Sequence, residues 1–118
     1  MILNEVYILL EEIKGDILYE TLPFNVKYIL YKNIEILENE KKIWDLLVND
    51  LITKYSTSKV DGKSVIEPNT HNYTQFQSEL TLISSNDVDI ELIMIDSSLL
   101  NEVTLKNYYP MTFKYLIK

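Results

Sequence analysis

The chain has 118 residues, 47% of them hydrophobic and 25% charged, and its 11 lysines, absence of arginine and 18 acidic residues leave a formal charge of −7; this size and apolar fraction suit one small domain, expected to bury roughly two thirds of its unfolded surface in a core of its own. With no cysteine, a disulfide framework, a thiolate zinc site and a cysteine nucleophile are excluded. No window reaches the ~18 apolar residues of a membrane span, the N-terminus lacks the basic flank and cleavage site of a signal peptide, and an acidic chain without arginine has little means of displacing phosphate counterions, so the expectation is a cytoplasmic protein with no direct nucleic-acid or membrane partner.

Residues 3–20 read as a first helix, with Asn4 as N-cap and Val6, Leu9, Leu10, Ile13 and Ile17 at helical spacing. Gly15 marks a place where it ends or bends. Thr21-Leu22-Pro23 is a helix-start signal, since threonine caps and a proline in the first turn has no amide to leave unpaired. From Phe24 to Tyr55 there is no Gly or Pro, and Val26, Leu30, Leu37, Trp44, Val48, Leu51 and Tyr55 fall within about 60° of one another on a helical wheel. Glu38 to Lys42 and Asp50 to Lys54 are expected to pair along the opposite face. A helix of this length is a rod of roughly 50 Å, whereas a compact domain of this size is only about 35 Å across. The rod outruns its domain, and because the apolar stripe continues along it, a second copy of the chain is expected to cover part of it.

After Tyr55 the periodicity stops. Asp61-Gly62 is a turn dipeptide, followed at Lys63–Glu67 by a short edge strand or an extended loop. Asn72 and Gln75 form a capping-box pattern ahead of a helix over 73–84 with Tyr73, Phe76, Leu80 and Ile83 on one side. Val88–Ile95 opens with strict alternation of apolar and polar residues and is the best strand pattern in the chain, with Glu102–Leu105 as its candidate antiparallel partner. Between them Asp96 caps a short turn holding Leu99 and Leu100. Asn107 is the expected cap of a C-terminal helix with Tyr109, Phe113, Leu116 and Ile117 facing inward. The reading is one α+β domain over residues 1–118: a long central helix packed with an N-terminal helix, a small antiparallel sheet and two short helices.

Catalytic and metal motifs are missing: the only histidine, His71, sits in the polar loop Pro68–Asn72, and there is no serine elbow, glycine-rich phosphate loop or paired metal-ligand pattern. No cofactor and no metal are expected, and Asp87-x-Asp89-x-Glu91 lacks the glycine and loop length of a calcium hand. Interaction chemistry is better represented. No lysine lies between Ser64 and Leu105, yet Glu67, Glu79, Asp87, Asp89, Glu91, Asp96 and Glu102 all do. Asp89 and Glu91 project from one strand face about 7 Å apart. Such carboxylates are either an ordinary solvated face or a negative patch that steers docking onto a basic, nucleic-acid-binding protein. Tyr28 and Tyr31 lie toward the polar side of the long helix, where packing does not need them and where tyrosine serves interfaces well.

Leu22-Pro23-Phe24-Asn25-Val26-Lys27-Tyr28 opening the long helix, Leu51-Ile52-Thr53-Lys54-Tyr55 closing it, Asp61-Gly62-Lys63-Ser64-Val65-Ile66-Glu67, the Phe76-Gln77-Ser78-Glu79-Leu80 helix and the Asp87-Val88-Asp89-Ile90 strand follow in an order that resembles a family of short phage proteins from low-GC hosts, a domain of unknown function. That family carries a leucine-proline step, a charged helix ending in lysine-tyrosine, an acidic residue-glycine turn and a valine- and glutamate-rich strand. The resemblance covers nearly all of the chain and departs at Asn107–Lys118, which is more basic and aromatic. It implies phage or prophage origin, in keeping with a composition that has no alanine or arginine and abundant Asn, Ile, Lys, Leu and Tyr, as an AT-rich genome favours. It supplies no catalytic residue.

The functional expectation is a non-enzymatic phage accessory protein that binds another protein, inhibiting a host or anti-phage defence factor through Asp87, Asp89, Glu91 and Asp96 or through the helix face of Tyr28 and Tyr31. Self-association as a homodimer is expected at Leu37, Trp44 and Leu51, and an aspartate at Leu37 or Trp44 is expected to unfold or monomerise the chain. The alternative is a structural or assembly component of the phage head or tail, and a carboxylate-only hydrolase comes third.

Overall fold

The computed structural model describes residues 1–118. Helix α1 (Leu3–Gly15) packs against the first half of α2 (Phe24–Tyr55), a single unbroken helix of 32 residues. At Gly15 the chain leaves α-geometry and makes one 3₁₀ turn, Ile17–Tyr19, so the first helix stops short of residue 20. Ile2 rather than Asn4 occupies the cap of α1, its amide donating to the Glu5 carboxylate at 3.0 Å. Pro23 rather than Thr21 caps α2, its carbonyl accepting from the Lys27 amide at 3.1 Å.

The core is the seam between α1 and residues 26–37 of α2. Val6, Leu9, Leu10 and Ile13 meet Val26, Leu30, Ile34 and Leu37, and Ile95, Tyr109 and Leu116 close the far side. Tyr7 ties α1 to α2 further along by donating its hydroxyl to Asp45 at 2.9 Å; burial and that carboxylate together push the phenol up to about 12. Beyond Leu37 the character of the molecule changes: no residue between Glu38 and Met94 is buried. The second half of α2, the hairpin and α3 (His71–Ser84) form an arm leaving the body. The radius of gyration is therefore 18.2 Å and the extents are 55 × 28 × 21 Å, against the radius of about 13 Å expected of a sphere-like domain of this length. The expected rod is present and intact, and its distal end is only half sheltered.

The sheet lies elsewhere than the alternating pattern indicates. β1 (Ser58–Val60) and β2 (Lys63–Val65) pair antiparallel, Ser58 opposite Val65 and Val60 opposite Lys63. Asp61 (φ 52°) and Gly62 (φ 78°) make the two-residue turn, both left-handed as a type I′ turn requires. Val88–Ile95 is extended but joins no ladder, and Glu102–Leu105 is not a strand; single bridges at the ends, Ile2 with Asp87 and Ile95 with Ile117, are all the pairing the segment makes. Alternation buries one side of a segment against any apolar surface, and here that surface is helical.

Several local partners also differ. The cap of α3 is Thr70, whose Oγ1 accepts from the Tyr73 amide at 3.2 Å, while the Asn72 side chain donates to the Tyr55 carbonyl at the end of α2 at 3.2 Å. Glu38 pairs with Lys14 and Lys54 with Glu79 at 3.1 Å, so both expected pairs along α2 give way to contacts between helices. α4 (Pro110–Tyr115) begins after Tyr109, and its first amides donate to Glu12 of α1, Thr112 at 2.8 Å and Met111 at 3.4 Å, in place of a cap by Asn107. Tyr109 and Leu116 point inward as expected, whereas Phe113 is exposed and stacks on Tyr108. Asp96 does cap the Ser97–Leu100 turn, accepting from the Ser98 amide at 2.9 Å.

Candidate protein-binding surfaces

The acidic segment is held by a few specific anchors. At its start the Val88 amide donates to the Met1 carbonyl at 2.9 Å; at its end the Ile95 amide donates to the Leu116 carbonyl at 2.6 Å and the Ile95 carbonyl accepts from the Lys118 amide at 3.1 Å. Between them Asn33, fully buried in α2, donates from Nδ2 to the Ile93 carbonyl and accepts at Oδ1 from the Ile93 amide, both at 2.8 Å. Val88, Ile90 and Leu92 pack on the core, which turns Asp89 and Glu91 outward. Neither makes an ion pair within the chain.

The other carboxylates are partly committed. Asp87 lies 3.6 Å from the N-terminal amine although its side chain is 85% exposed. The carboxyl of Asp96 is held below the usual aspartate range, first by the Ser98 amide and then by the Ser98 side chain, with Lys118 adding to it. Glu79 is likewise held low, by the Tyr55 hydroxyl at 2.6 Å and then by Lys54. Of the seven carboxylates in the negative run, Glu67, Asp89, Glu91 and Glu102 are exposed with neither an ion pair nor a capping bond, and among these Asp89 and Glu91 stand as neighbours on one side of the same segment, with Asp87 at their edge.

Tyr28 and Tyr31 do not join this patch. Both are exposed, Tyr28 under the Lys32 ammonium at 5.0 Å, and they occupy the first turns of α2. Asp89 instead borders a cleft with Ile43 and Leu47, which lie 12 to 19 residues farther along the same helix, roughly 20–30 Å away. One docking surface cannot include all six residues unless the partner spans that distance. Of the three expected self-association residues, Leu37 has no accessible surface, because α1 already covers it; it is a core residue and is unavailable to a second copy. Trp44 and Leu51 are half-buried in the arm, and Trp44 lines the cleft.

The cleft, about 170 Å³, is floored by Leu3, Trp44, Leu47, Ile83 and Val88 and rimmed by Glu40, Asp87 and Asp89. Its acidic rim over an apolar floor suits an amphipathic basic protein surface. His71 is exposed in the first turn of α3, its Nε2 3.4 Å from the Gln75 side-chain Nε2, and no three of the His, Asp and Glu side chains converge as metal ligands. No helix is long and apolar enough to cross a membrane.

Sequence reading missed Asn33, Glu12 and Glu20. Glu20 is buried, and its carboxylate accepts the Lys106 amide. Asn33 left one signal: it stands on the apolar stripe between Leu30 and Leu37, where a polar side chain needs a buried partner. Glu12 and Glu20 left none, since charged residues on helix faces are ordinary.

No protein-family model matches the chain, and comparisons with curated proteins and with solved structures give no match.

Proposed function

We propose that this is a bacteriophage accessory protein that acts without catalysis in the host cytoplasm, docking on a basic, nucleic-acid-binding host protein such as a defence factor and obstructing it. The observation that carries this reading is the pair Asp89 and Glu91, held outward by packing of their neighbours and left without a cation in their own chain. Charges so placed steer association and set its specificity. The resemblance to short phage proteins and the alanine-free, arginine-free composition support the phage origin.

The test is affinity capture from the host at stepped salt, comparing wild type with Asp89→Asn/Glu91→Gln. A basic host protein retained by wild type, lost from the variant and released as salt rises supports the reading. Equal capture by both chains at all salt concentrations overturns it. The 55 Å length and half-sheltered arm favour a second reading, a component or assembly factor of the phage head or tail; finding the chain in purified particles would decide for it.

A further inference from the structure

We propose that the arm pairs with the arm of a second copy of this chain, the distal halves of the two α2 helices running antiparallel about a two-fold axis at Leu47. The inference stands on the arm and not on Asp89 and Glu91, so it and the docking function above can fail separately.

The arm has an uncovered apolar side. Trp44, Val48, Leu51 and Ile52 half-bury as α3 packs on the arm, but along the flank of the same helix Ile43 is 56%, Leu46 60% and Leu47 44% exposed. In the body the corresponding flank, at Ile29 and Ile36, is half-buried by the rest of the chain. In the arm only Leu3, Ile83 and Val88 approach it, across the cleft, and they leave Ile43 and Leu47 about half open.

The pattern on that flank is self-complementary. Glu40, Ile43, Leu47 and Lys54 fall within about 60° of one another on the helical wheel, and Glu40 and Lys54 stand seven residues to either side of Leu47. Antiparallel pairing about Leu47 therefore sets Leu47 against its own copy and Ile43 against Leu51 of the second copy. It also places Glu40 opposite Lys54 at both ends, across roughly 20 Å of helix. A closed two-fold contact demands such self-matching, and a parallel pairing would face Glu40 with Glu40. Glu40 makes no ion pair in its own chain, and the Lys54 side chain remains 59% exposed beside Glu79.

Sedimentation equilibrium of the intact chain over a micromolar range tests the assembly. A mass twice that of the chain is expected; a monomer throughout, or an assembly larger than two, overturns the proposal. Leu47→Asp, at a position open to water in the protomer, is expected to keep the helical circular dichroism and raise the dissociation constant at least tenfold, and a dimer indifferent to it overturns the proposal. Glu40→Lys is expected to weaken the dimer about two- to fivefold, and adding Lys54→Glu to regain part of that loss; a further loss in the double variant overturns the register. Because the chain has no cysteine, single-cysteine variants read the geometry cleanly. Under mild oxidation Leu47→Cys is expected to crosslink with its copy, whereas Lys54→Cys, held far beyond the ~7 Å reach of a disulfide, is not. The reverse pattern overturns the two-fold at Leu47.

Discussion

The side-chain amide of Asn33 holds the backbone of Ile93 by both of its polar groups, donating to the carbonyl and accepting from the amide at 2.8 Å each. This takes the place of a neighbouring strand: it gives an extended segment with no ladder one residue of edge pairing, and it fills a polar position inside the apolar stripe of α2. The grip also sets where Asp89 and Glu91 are presented.

Asn33→Ala should therefore do more than lighten the core. It strands two backbone groups, at a cost of about 2 kcal/mol, and frees the middle of the acidic segment. Urea denaturation should show the loss, and the Ile93 amide should exchange faster than the change in global stability explains. An Asn33→Ala chain of wild-type stability with a protected Ile93 amide would contradict this assignment.

Leu37 and Trp44 share the stripe but should answer differently to aspartate. Leu37 has no accessible surface, so Leu37→Asp puts a carboxylate among aliphatic side chains at a cost of about 4 kcal/mol or more, comparable with the whole stability of a small domain. Trp44 is half-buried in the arm, and an aspartate there can reach water. Circular dichroism should find Leu37→Asp unfolded and Trp44→Asp folded, with a melting point lowered by several degrees.

The arm should open before the body. With no buried residue between Glu38 and Met94, its amides have little apolar packing to protect them. In the Leu47→Asp chain, native-state hydrogen exchange should run faster over residues 44–55 and 71–84 than over 26–37. Equal protection of the two regions would show a cooperative unit larger than the core we describe.

Acid should loosen the contact of α1 with α4. The Glu5 carboxylate accepts from the Tyr115 hydroxyl and from the Ile2 amide at 3.0 Å, and Lys114 lies 3.6 Å away; these hold its carboxyl below the usual glutamate range, Tyr115 contributing most. The folded state thus releases its proton more readily than the unfolded chain, whose value is near 4.3. The stabilisation is complete above that pH and is lost as pH falls through the depressed folded value. Tyr115 behaves oppositely: the Glu5 bond and burial raise its phenol, so its contribution holds below about pH 10 and fades as pH rises through the raised value. Glu5→Gln should flatten the acid limb of a urea-midpoint profile below about pH 5.

What this chain determines by itself is whatever depends on neighbours a few residues apart. The one-sided stripe from Val26 to Tyr55 makes a single helix because each turn repeats the same apolar face without a glycine or proline. Asp61-Gly62 makes its turn because both residues tolerate left-handed backbone, and Asp96 caps Ser98 at a separation of two residues. Only the tertiary structure decided the rest. A strand needs an edge to pair with, and alternation at Val88–Ile95 carries no information about whether one arrives; here Asn33 arrived instead. Periodicity likewise tells which side of α2 is apolar but not what covers it. α1 is 13 residues long and its apolar side seals the stripe of α2 only as far as Leu37, touching the rod beyond that through Tyr7 at Asp45 and Leu3 at the cleft, which is why Leu37 is sealed within the chain while Ile43 and Leu47 remain open to water.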